Sequence, residues 1–265
     1  MHHGISAPNA ASPSELVALA VDAERAGWHG FFLWDHLQFL KAAGIALADP
    51  IVTLGAIAQA TSTIRIGAIV TPVPRRRPWK LAKEITTLDH LSGGRVIFGV
   101  GLGWPPEDEF ACFGEPAQDR ERAERLDEGL AVIAGLWSGE PFSYSGRHFT
   151  VDAARFLPPP LQQPRPPVWV AAMSHHPGPY RRAARWDGIV PIHPDGVPLP
   201  PDDVAAARER CVGAHAGFDL VASASPGVAT SEYADAGATW LLESCGITEG
   251  WPDGLRRRVL DGPPA

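Results

Sequence analysis

The sequence has few cysteines, no long apolar run and no excess of basic residues, and each absence argues against a class of protein. Three cysteines in 265 residues, odd in number and far apart, make no disulfide framework and indicate reduced thiols in a cytoplasmic protein. No segment approaches the roughly 18 uncharged apolar residues of a membrane-spanning helix. The first residues lack a basic segment followed by an apolar core, so we expect no secretory signal. A formal net charge of -7 disfavours nucleic acid as a partner.

Signatures of hydrolytic and metal-dependent chemistry are also missing. There is no Gly-x-Ser-x-Gly elbow, and Cys112 follows an acidic run with no histidine nearby in sequence, so no activated nucleophile is evident. His2 and His3 are adjacent and would point to opposite faces of a strand, and the later histidines lack a ligand spacing. We therefore expect no metal site and no serine or cysteine hydrolase.

The run Gly99-Val100-Gly101-Leu102-Gly103 begins like a dinucleotide-binding fingerprint but lacks its last glycine. Position 104 is Trp and two prolines follow, whereas the fingerprint needs a glycine there and a helix packed closely on the strand. This argues against a dinucleotide site. Two interpretations stay open: a strand exit that lets a flat ligand approach the backbone, and a simple tight turn.

What the sequence does contain is a regular alternation of short apolar runs with helix start and stop signals. Ser12-Pro13-Ser14-Glu15 is a capping box, and Asp49-Pro50 opens the next helix. The predicted strands are 3–8, 31–34, 64–71, 95–101, 168–172, 188–192, 218–223 and 239–243, and the longer predicted helices are 79–91, 120–137 and 251–260. Eight strands alternating with eight helices predict one (β/α)8 TIM barrel domain over residues 1–265, with a small hairpin inserted near 140–157. A doubly wound open sheet is the alternative, but it usually has fewer strands.

Three chemically useful side chains, Trp34, Asp35 and His36, stand at the end of the second predicted strand. In this fold the carboxyl ends of the strands carry the chemistry. An imidazole there can exchange a proton near neutral pH, and a neighbouring carboxylate can set its tautomer. The hypothesis is that His36 is a general acid or base, and the alternative is a structural histidine.

A cluster of cations, Arg75, Arg76, Arg77 and Lys80, stands at the exit of the third predicted strand. Guanidinium groups bind phosphates and carboxylates in bidentate fashion, so a local cluster in an acidic protein favours an anionic ligand. A solvated basic loop is the other interpretation. A second candidate anion site is the segment 174–180, where a loop leads into a predicted helix N-terminus.

Eight stretches, in order along nearly the whole chain, together resemble the luciferase-like monooxygenase superfamily. They are 23–28, 34–36, 71–72, 88–95, 99–103, 168–171, 183–188 and 236–240. Within the superfamily the chain looks most like the branch that uses the deazaflavin coenzyme F420. The resemblance implies a barrel of the bacterial luciferase type and an oxidoreductase that transfers hydride between coenzyme F420 and a small organic substrate. Because many members dimerise, it also makes a homodimer a candidate state.

The resemblance further implies roles for individual residues. His36 would donate or accept a proton, Asp35 would orient it, and Trp34 would form a packing wall. A non-proline cis peptide is expected at Ala68–Ile69, and a phosphate loop follows the predicted strand 168–172. The residues that would contact the coenzyme are Ala68, Ile69, Thr71, Leu102, Gly103, Glu107, Ala171, Ala172, Met173 and Ser174. Arg75, Arg76 and Arg77 would hold the anionic tail of the coenzyme or an acidic substrate.

Two features depart from the relatives. Trp104 stands where a deazaflavin sugar-phosphate dehydrogenase of the family has a catalytic Glu, which makes Glu107 and Glu109 candidates for that acid. The phosphate loop, from Ala172 to His176, lacks the paired glycines that many relatives carry. Two alternatives therefore stay open: an FMN-dependent flavin monooxygenase on the same fold, and a coenzyme-binding barrel without catalysis.

Overall fold

A barrel of parallel strands forms the centre of the protein. The structure is a computed structural model and describes residues 1–173, 176–244, 246–247 and 251–264. The strands are β1 His2–Ala7, β2 Gly30–Leu33, β3 Arg65–Ala68, β4 Thr71–Pro72, β5 Phe98–Gly101, β6 Phe142–Ser145, β7 Thr150–Ala154, β8 Val168–Ala172, β9 Gly188–Pro191, β10 Asp219–Ser223 and β11 Trp240–Ser244. Around the barrel they follow the order β3, β2, β1, β11, β10, β9, β8, β5, β4, whereas β6 and β7 pair with each other in an antiparallel hairpin. The predicted hairpin insertion is therefore confirmed.

The sheet closes on itself at the third barrel strand, of which β3 and β4 are consecutive parts. β3 pairs with β2 and β4 pairs with β5, both in parallel register. The Ile66 amide donates to Arg95 O at 3.1 Å and the Ile97 amide donates to Ile66 O at 2.9 Å, which joins β3 to the approach of β5. Counting β3 and β4 as one strand gives eight, so the predicted (β/α)8 barrel is confirmed.

The third strand is interrupted one residue later than expected. The non-proline cis peptide is Ile69–Val70, so the expectation of Ala68–Ile69 is wrong. The reason lies in the pairing with β2: Ala68 is still in register with Leu33, and the Ile69 amide still donates to Leu33 O at 2.8 Å. Regular hydrogen bonding therefore continues through Ile69, and the irregularity begins after it.

Helices cover the outside of the barrel, and proline marks where many of them begin. They are α1 Pro13–Arg25, α2 Pro50–Ala60, α3 Pro78–Ser92, α4 Pro106–Glu109, α5 Asp119–Trp137, α6 Pro177–Ala183, α7 Pro201–Arg210, α8 Thr230–Asp235 and α9 Asp253–Leu260. Ser12 caps α1 through the predicted capping box, and the Asp49 side chain accepts from the Val52 amide at the start of α2. A proline at the first position loses no hydrogen bond, because the amide there has no partner within the helix. No described helix is both long and apolar enough to cross a membrane.

Large aromatic side chains fill the inside of the barrel. Phe32, Trp169 and Trp240 come from β2, β8 and β11, and their ring centroids lie 5.2–5.9 Å apart. They are at most 5% exposed. Two glycines allow the strands to approach closely: a Cβ on Gly67 would lie 2.0 Å from Ile97 O, and one on Gly99 would lie 2.4 Å from Ala68 O. The packed interior leaves the carboxyl ends of the strands as the place for a site.

Candidate active site

The residues Trp34, Asp35 and His36 follow β2 and lie at the carboxyl end of the barrel, as the strand pattern predicts. Asn9, in the loop after β1, fixes the segment that they begin. Its Nδ2 donates to His36 O at 2.9 Å and to Ala48 O at 2.7 Å, at the two ends of the loop between β2 and α2. Because Asn9 is fully buried, the loop is held from inside the protein.

Asp35 is buried and forms an ion pair with two arginines of the predicted cation cluster. Arg75 Nη2 lies 2.7 Å from Asp35 Oδ1, and Arg76 Nη2 lies 2.8 Å from Asp35 Oδ2. Arg75 also donates to the Asp35 carbonyl oxygen at 2.9 Å. The carboxylate of Asp35 is thus engaged by guanidinium groups, and the hydrogen bonds that it accepts in the described part of the chain come from them.

Glu109, at the end of α4, is the carboxylate that contacts His36. Its Oε1 lies 3.1 Å from His36 Nδ1, and the amides of Leu37 and Gln38 donate to it at 3.1 and 3.2 Å. Arg75 Nη1 donates to its other oxygen. Burial alone would raise the pKa of Glu109, but the hydrogen bonds from His36 and the Leu37 amide, with the charge of Arg75, outweigh burial and hold the pKa below its ordinary value. Glu109 is therefore an anion at neutral pH, not an acid with a proton to give.

The four charged groups beside His36 neutralise one another. Two carboxylates, Asp35 and Glu109, stand against two guanidinium groups, Arg75 and Arg76, and the carboxylate side chains have no exposed surface. Arg77 of the predicted cluster lies apart from this network and is exposed at the start of α3. The three arginines of the cluster therefore differ: Arg75 and Arg76 pair with buried carboxylates, whereas Arg77 faces solvent.

Four rings stand side by side at the mouth of the barrel, and we call them the ring cluster: Trp34, His36, Phe39 and Trp104. The ring centroids of His36 and Phe39 lie 4.5 Å apart, those of Trp34 and His36 5.8 Å, and those of Phe39 and Trp104 6.1 Å. Trp34 Nε1 donates to Ser6 Oγ at 3.0 Å, which fixes the indole against the end of β1. The sequence indicates Trp34 and His36 as site residues, and the resemblance aligns Trp104 with a catalytic position of a relative, but nothing in the sequence indicates that Phe39 joins them.

The residues expected to hold the coenzyme lie on neighbouring strands of the mouth. They follow or end β3, β4, β5 and β8, which are adjacent around the barrel. Ala68, Ile69, Thr71 and Ala172 are buried, Leu102, Gly103, Ala171 and Met173 are half-buried, and Glu107 is exposed. Ser174 lies outside the described residues. Val70 and Ile192 are half-buried above the aromatic interior of the barrel and form an apolar floor at this end.

The glycines at the end of β5 and just after it are explained by packing within the protein. A Cβ on Gly101 would lie 2.7 Å from Val70 Cγ2, and one on Gly103 would lie 2.7 Å from Phe110 Cε2. Gly103 also has a φ of +87°, a conformation that other residues rarely adopt. Arg122 from α5 donates to Gly103 O at 2.6 Å and closes the turn. Of the two interpretations of this run, the turn is sufficient to account for its glycines.

Other parts of the surface offer less chemistry. A groove of about 320 Å³ between α2 and α3 is lined by Ile51, Lys80 and Leu91 among others, and none of the residues beside His36 contributes to it. Across the described ranges, no group of three or more His, Cys, Asp and Glu side chains is arranged to hold a metal ion. The barrel mouth is therefore the candidate site.

A family model described as luciferase-like monooxygenase matches residues 1–247. The chain belongs to this family. The F420-dependent glucose-6-phosphate dehydrogenase of Nakamurella multipartita is 32% identical over 180 residues, which are 67% of this chain and 52% of that protein. The oxygenase component of a flavin-dependent trigonelline monooxygenase from Acinetobacter baylyi is 31% identical over 160 residues, 60% of this chain and 42% of that protein. This luciferase-like chain thus spans about half the length of these curated relatives.

Solved structures agree with the fold. The coenzyme F420 dependent tetrahydromethanopterin reductase from Methanopyrus kandleri superposes with a TM-score of 0.78, and the match covers 98% of this chain and 96% of the reductase chain. The two sequences are 18% identical, so the likeness concerns the barrel alone. The family resemblance noted in the motifs is confirmed.

Proposed function

We propose that this luciferase-like protein is an oxidoreductase that transfers hydride between coenzyme F420 and a small organic substrate, with His36 donating or accepting the proton. The observation that carries the proposal is the contact between His36 Nδ1 and the buried carboxylate of Glu109 at the barrel mouth. When hydride moves to or from a carbon–oxygen group, the oxygen gains or loses a proton, and a positioned imidazole can supply or take it. The F420-dependent relative supports the choice of coenzyme.

The partner at Nδ1 determines which nitrogen of His36 is available. An ionised carboxylate can only accept hydrogen bonds, so Nδ1 must carry a proton when it faces Glu109. In a neutral imidazole this leaves Nε2 as the atom that accepts a proton, and in the imidazolium as the atom that gives one. Glu109 is thus a positioning residue in this scheme, because it acts through His36.

Asp35 has a supporting task in this arrangement. By pairing with Arg75, it holds the same guanidinium that reaches Glu109, so the two carboxylates share one rigid cation. Trp34 packs beside the imidazole and excludes water from one side of it. We infer that His36 exchanges the proton while Asp35 and Glu109 fix its surroundings.

The barrel mouth fits the flat part of a deazaflavin. The apolar floor of Val70 and Ile192, with half-buried Leu102 and Ala171 at the neighbouring strand ends, offers a surface on which a ring system can lie. When bound, the coenzyme supplies or receives the hydride at its ring. The residues that would hold it are those at the ends of the third, fourth and fifth barrel strands: Ala68, Ile69, Thr71, Leu102, Gly103, Ala171, Ala172 and Met173. Exposed Arg77 is the remaining candidate for its anionic tail.

The proposal is tested by comparing His36→Ala with the wild-type protein in two measurements. Quenching of tryptophan fluorescence gives the affinity for oxidised F420, and the change in coenzyme absorbance over a panel of alcohols gives turnover. We expect turnover to fall about 100-fold or more while the affinity stays within about 2-fold, because general acid–base groups contribute on that scale to rate. His90→Ala, an exposed substitution at the end of α3, is the control. Unchanged turnover of His36→Ala would remove the role of His36, and absence of F420 binding would remove the coenzyme.

A second candidate is an FMN-dependent monooxygenase on the same barrel. The similarity to the flavin-dependent trigonelline monooxygenase component favours it. The same titration separates the two functions, since a monooxygenase of this kind binds FMN in preference to F420 and consumes oxygen.

A further inference from the structure

Large apolar side chains in and beside the ring cluster are exposed at the barrel mouth. Trp104 is 43% exposed, and Leu37 and Leu40 beside the cluster are 51% and 46% exposed. Trp104 contacts the ring of Phe39, so its exposed face continues a surface that begins at His36. Large apolar side chains gathered at the open end of a barrel mark a place where a ligand is bound.

The charges around the cluster make it unsuited to an anion. Arg75, which shares Glu109 with His36, and its neighbour Arg76 already pair with buried carboxylates. Glu107 and Asp108 follow Trp104 on α4 and add negative charge at its edge. A phosphate or carboxylate at the cluster would lose hydration, and these two guanidinium groups could compensate it only by giving up a buried carboxylate.

The rings are also held in place before any ligand arrives. Trp34 is fixed by its hydrogen bond to Ser6, and the loop that carries Phe39 is fixed at both ends by Asn9. A binding surface that is already ordered spends little free energy on ordering itself. Aromatic faces of this kind bind flat apolar groups by offset stacking or edge-to-face contact.

We propose that the ring cluster is the substrate subsite, and that it takes an uncharged aromatic or alicyclic molecule whose hydroxyl or carbonyl group reaches Nε2 of His36. The role of His36 in this inference rests on the proposed function. The binding of an uncharged ring to the cluster is independent of that function. Because Trp104 stands at the open edge of the cluster and is 43% exposed, it is the ring that such a molecule can contact most fully.

The test uses two probes of the same shape that differ in charge, 2-naphthol and 2-naphthyl phosphate, with affinities measured by isothermal titration calorimetry at neutral pH. We expect 2-naphthol to bind about 10-fold or more tightly than the phosphate, because Arg75 and Arg76 are already paired with carboxylates. Trp104→Ala should weaken the binding of 2-naphthol by about 2- to 10-fold, the scale of one aromatic contact. Trp79→Ala should leave it unchanged, since that side chain contacts Phe149 at the hairpin.

Three results would overturn the inference: phosphate binding as tight as that of 2-naphthol, an unaltered affinity in both Trp104→Ala and Phe39→Leu, or displacement of 2-naphthol by saturating F420. The last result would mean that the coenzyme itself covers the rings. The probe titrations without coenzyme need no turnover, so binding of 2-naphthol by a protein that ignores F420 would refute the proposed function and leave the subsite standing. Binding of F420 without any binding of 2-naphthol would do the reverse.

Discussion

Replacing Glu109 with Gln should destabilise the protein by about 3 kcal/mol at neutral pH. Glu109 is 1% exposed and accepts hydrogen bonds from Arg75, His36 and the amides of the following residues Leu37 and Gln38. Removing one member of a buried ion pair costs about 3–5 kcal/mol, because the other charge is left without compensation. Arg75 keeps its contact with Asp35, so the lower end of that range applies.

Urea unfolding followed by circular dichroism gives the free energy for this comparison. Glu84→Gln is the matched control, because it removes an i,i+4 pair with exposed Lys80 and should change stability by less than about 0.5 kcal/mol. A double-mutant cycle of Arg75→Met with Glu109→Gln should give a coupling energy of about 1 kcal/mol or more. If Glu109→Gln behaves like the Glu84→Gln control, the buried network does not hold the site, and our explanation of the position of His36 fails.

Three further predictions concern stability. The pKa of Glu109 is lowered in the folded protein, so its carboxylate stabilises the fold above its unfolded pKa of about 4.3, and this contribution is lost as pH falls through the folded pKa. Glu109→Gln should therefore lose less unfolding free energy than the wild-type protein between about pH 5 and pH 3. An identical pH profile of the two proteins would contradict the lowered pKa. Arg95→Lys should lower the free energy of unfolding in urea by about 2–3 kcal/mol, because buried Arg95 donates to four backbone carbonyl groups that a lysine cannot all reach. A loss below about 1 kcal/mol would show that water replaces the guanidinium as the donor. Gly99→Ala should prevent stable folding, because its Cβ would lie 2.4 Å from Ala68 O. Gly55→Ala, where a Cβ on α2 would meet open space, should leave the free energy of unfolding unchanged or raise it by up to about 1 kcal/mol. Equal melting temperatures for the two variants would refute the close approach of the strands.

The parts of the fold that the sequence predicts are those decided by neighbours in the chain. The capping box at Ser12 and the cap at Asp49 act within about one helical turn, so the residues themselves contain the signal. The placement of Trp34 to His36 at the barrel mouth follows from strand periodicity in the same way. The single-residue error at the cis peptide arises because the register with β2, not the local sequence, decides where regular pairing stops.

The contacts within the site depend on residues far apart in the chain. His36 and Glu109 are 73 residues apart, and their contact depends on how the loop after β2 meets the short helix α4. The cation cluster is visible in the sequence, but its neutralisation is not, because Asp35 lies 40 residues before Arg75. A run of arginines shows that positive charge is present; only the fold decides whether that charge faces a ligand or a buried carboxylate.

The most direct test of the account is a titration of the purified protein with oxidised F420 and, separately, with FMN, followed by tryptophan fluorescence. Trp34 and Trp104 stand at the mouth of the barrel, so a ring bound there should quench their emission. We predict saturable quenching by F420 at micromolar concentration and clearly weaker quenching by FMN. Preference for FMN, or saturation by neither coenzyme, would contradict the account.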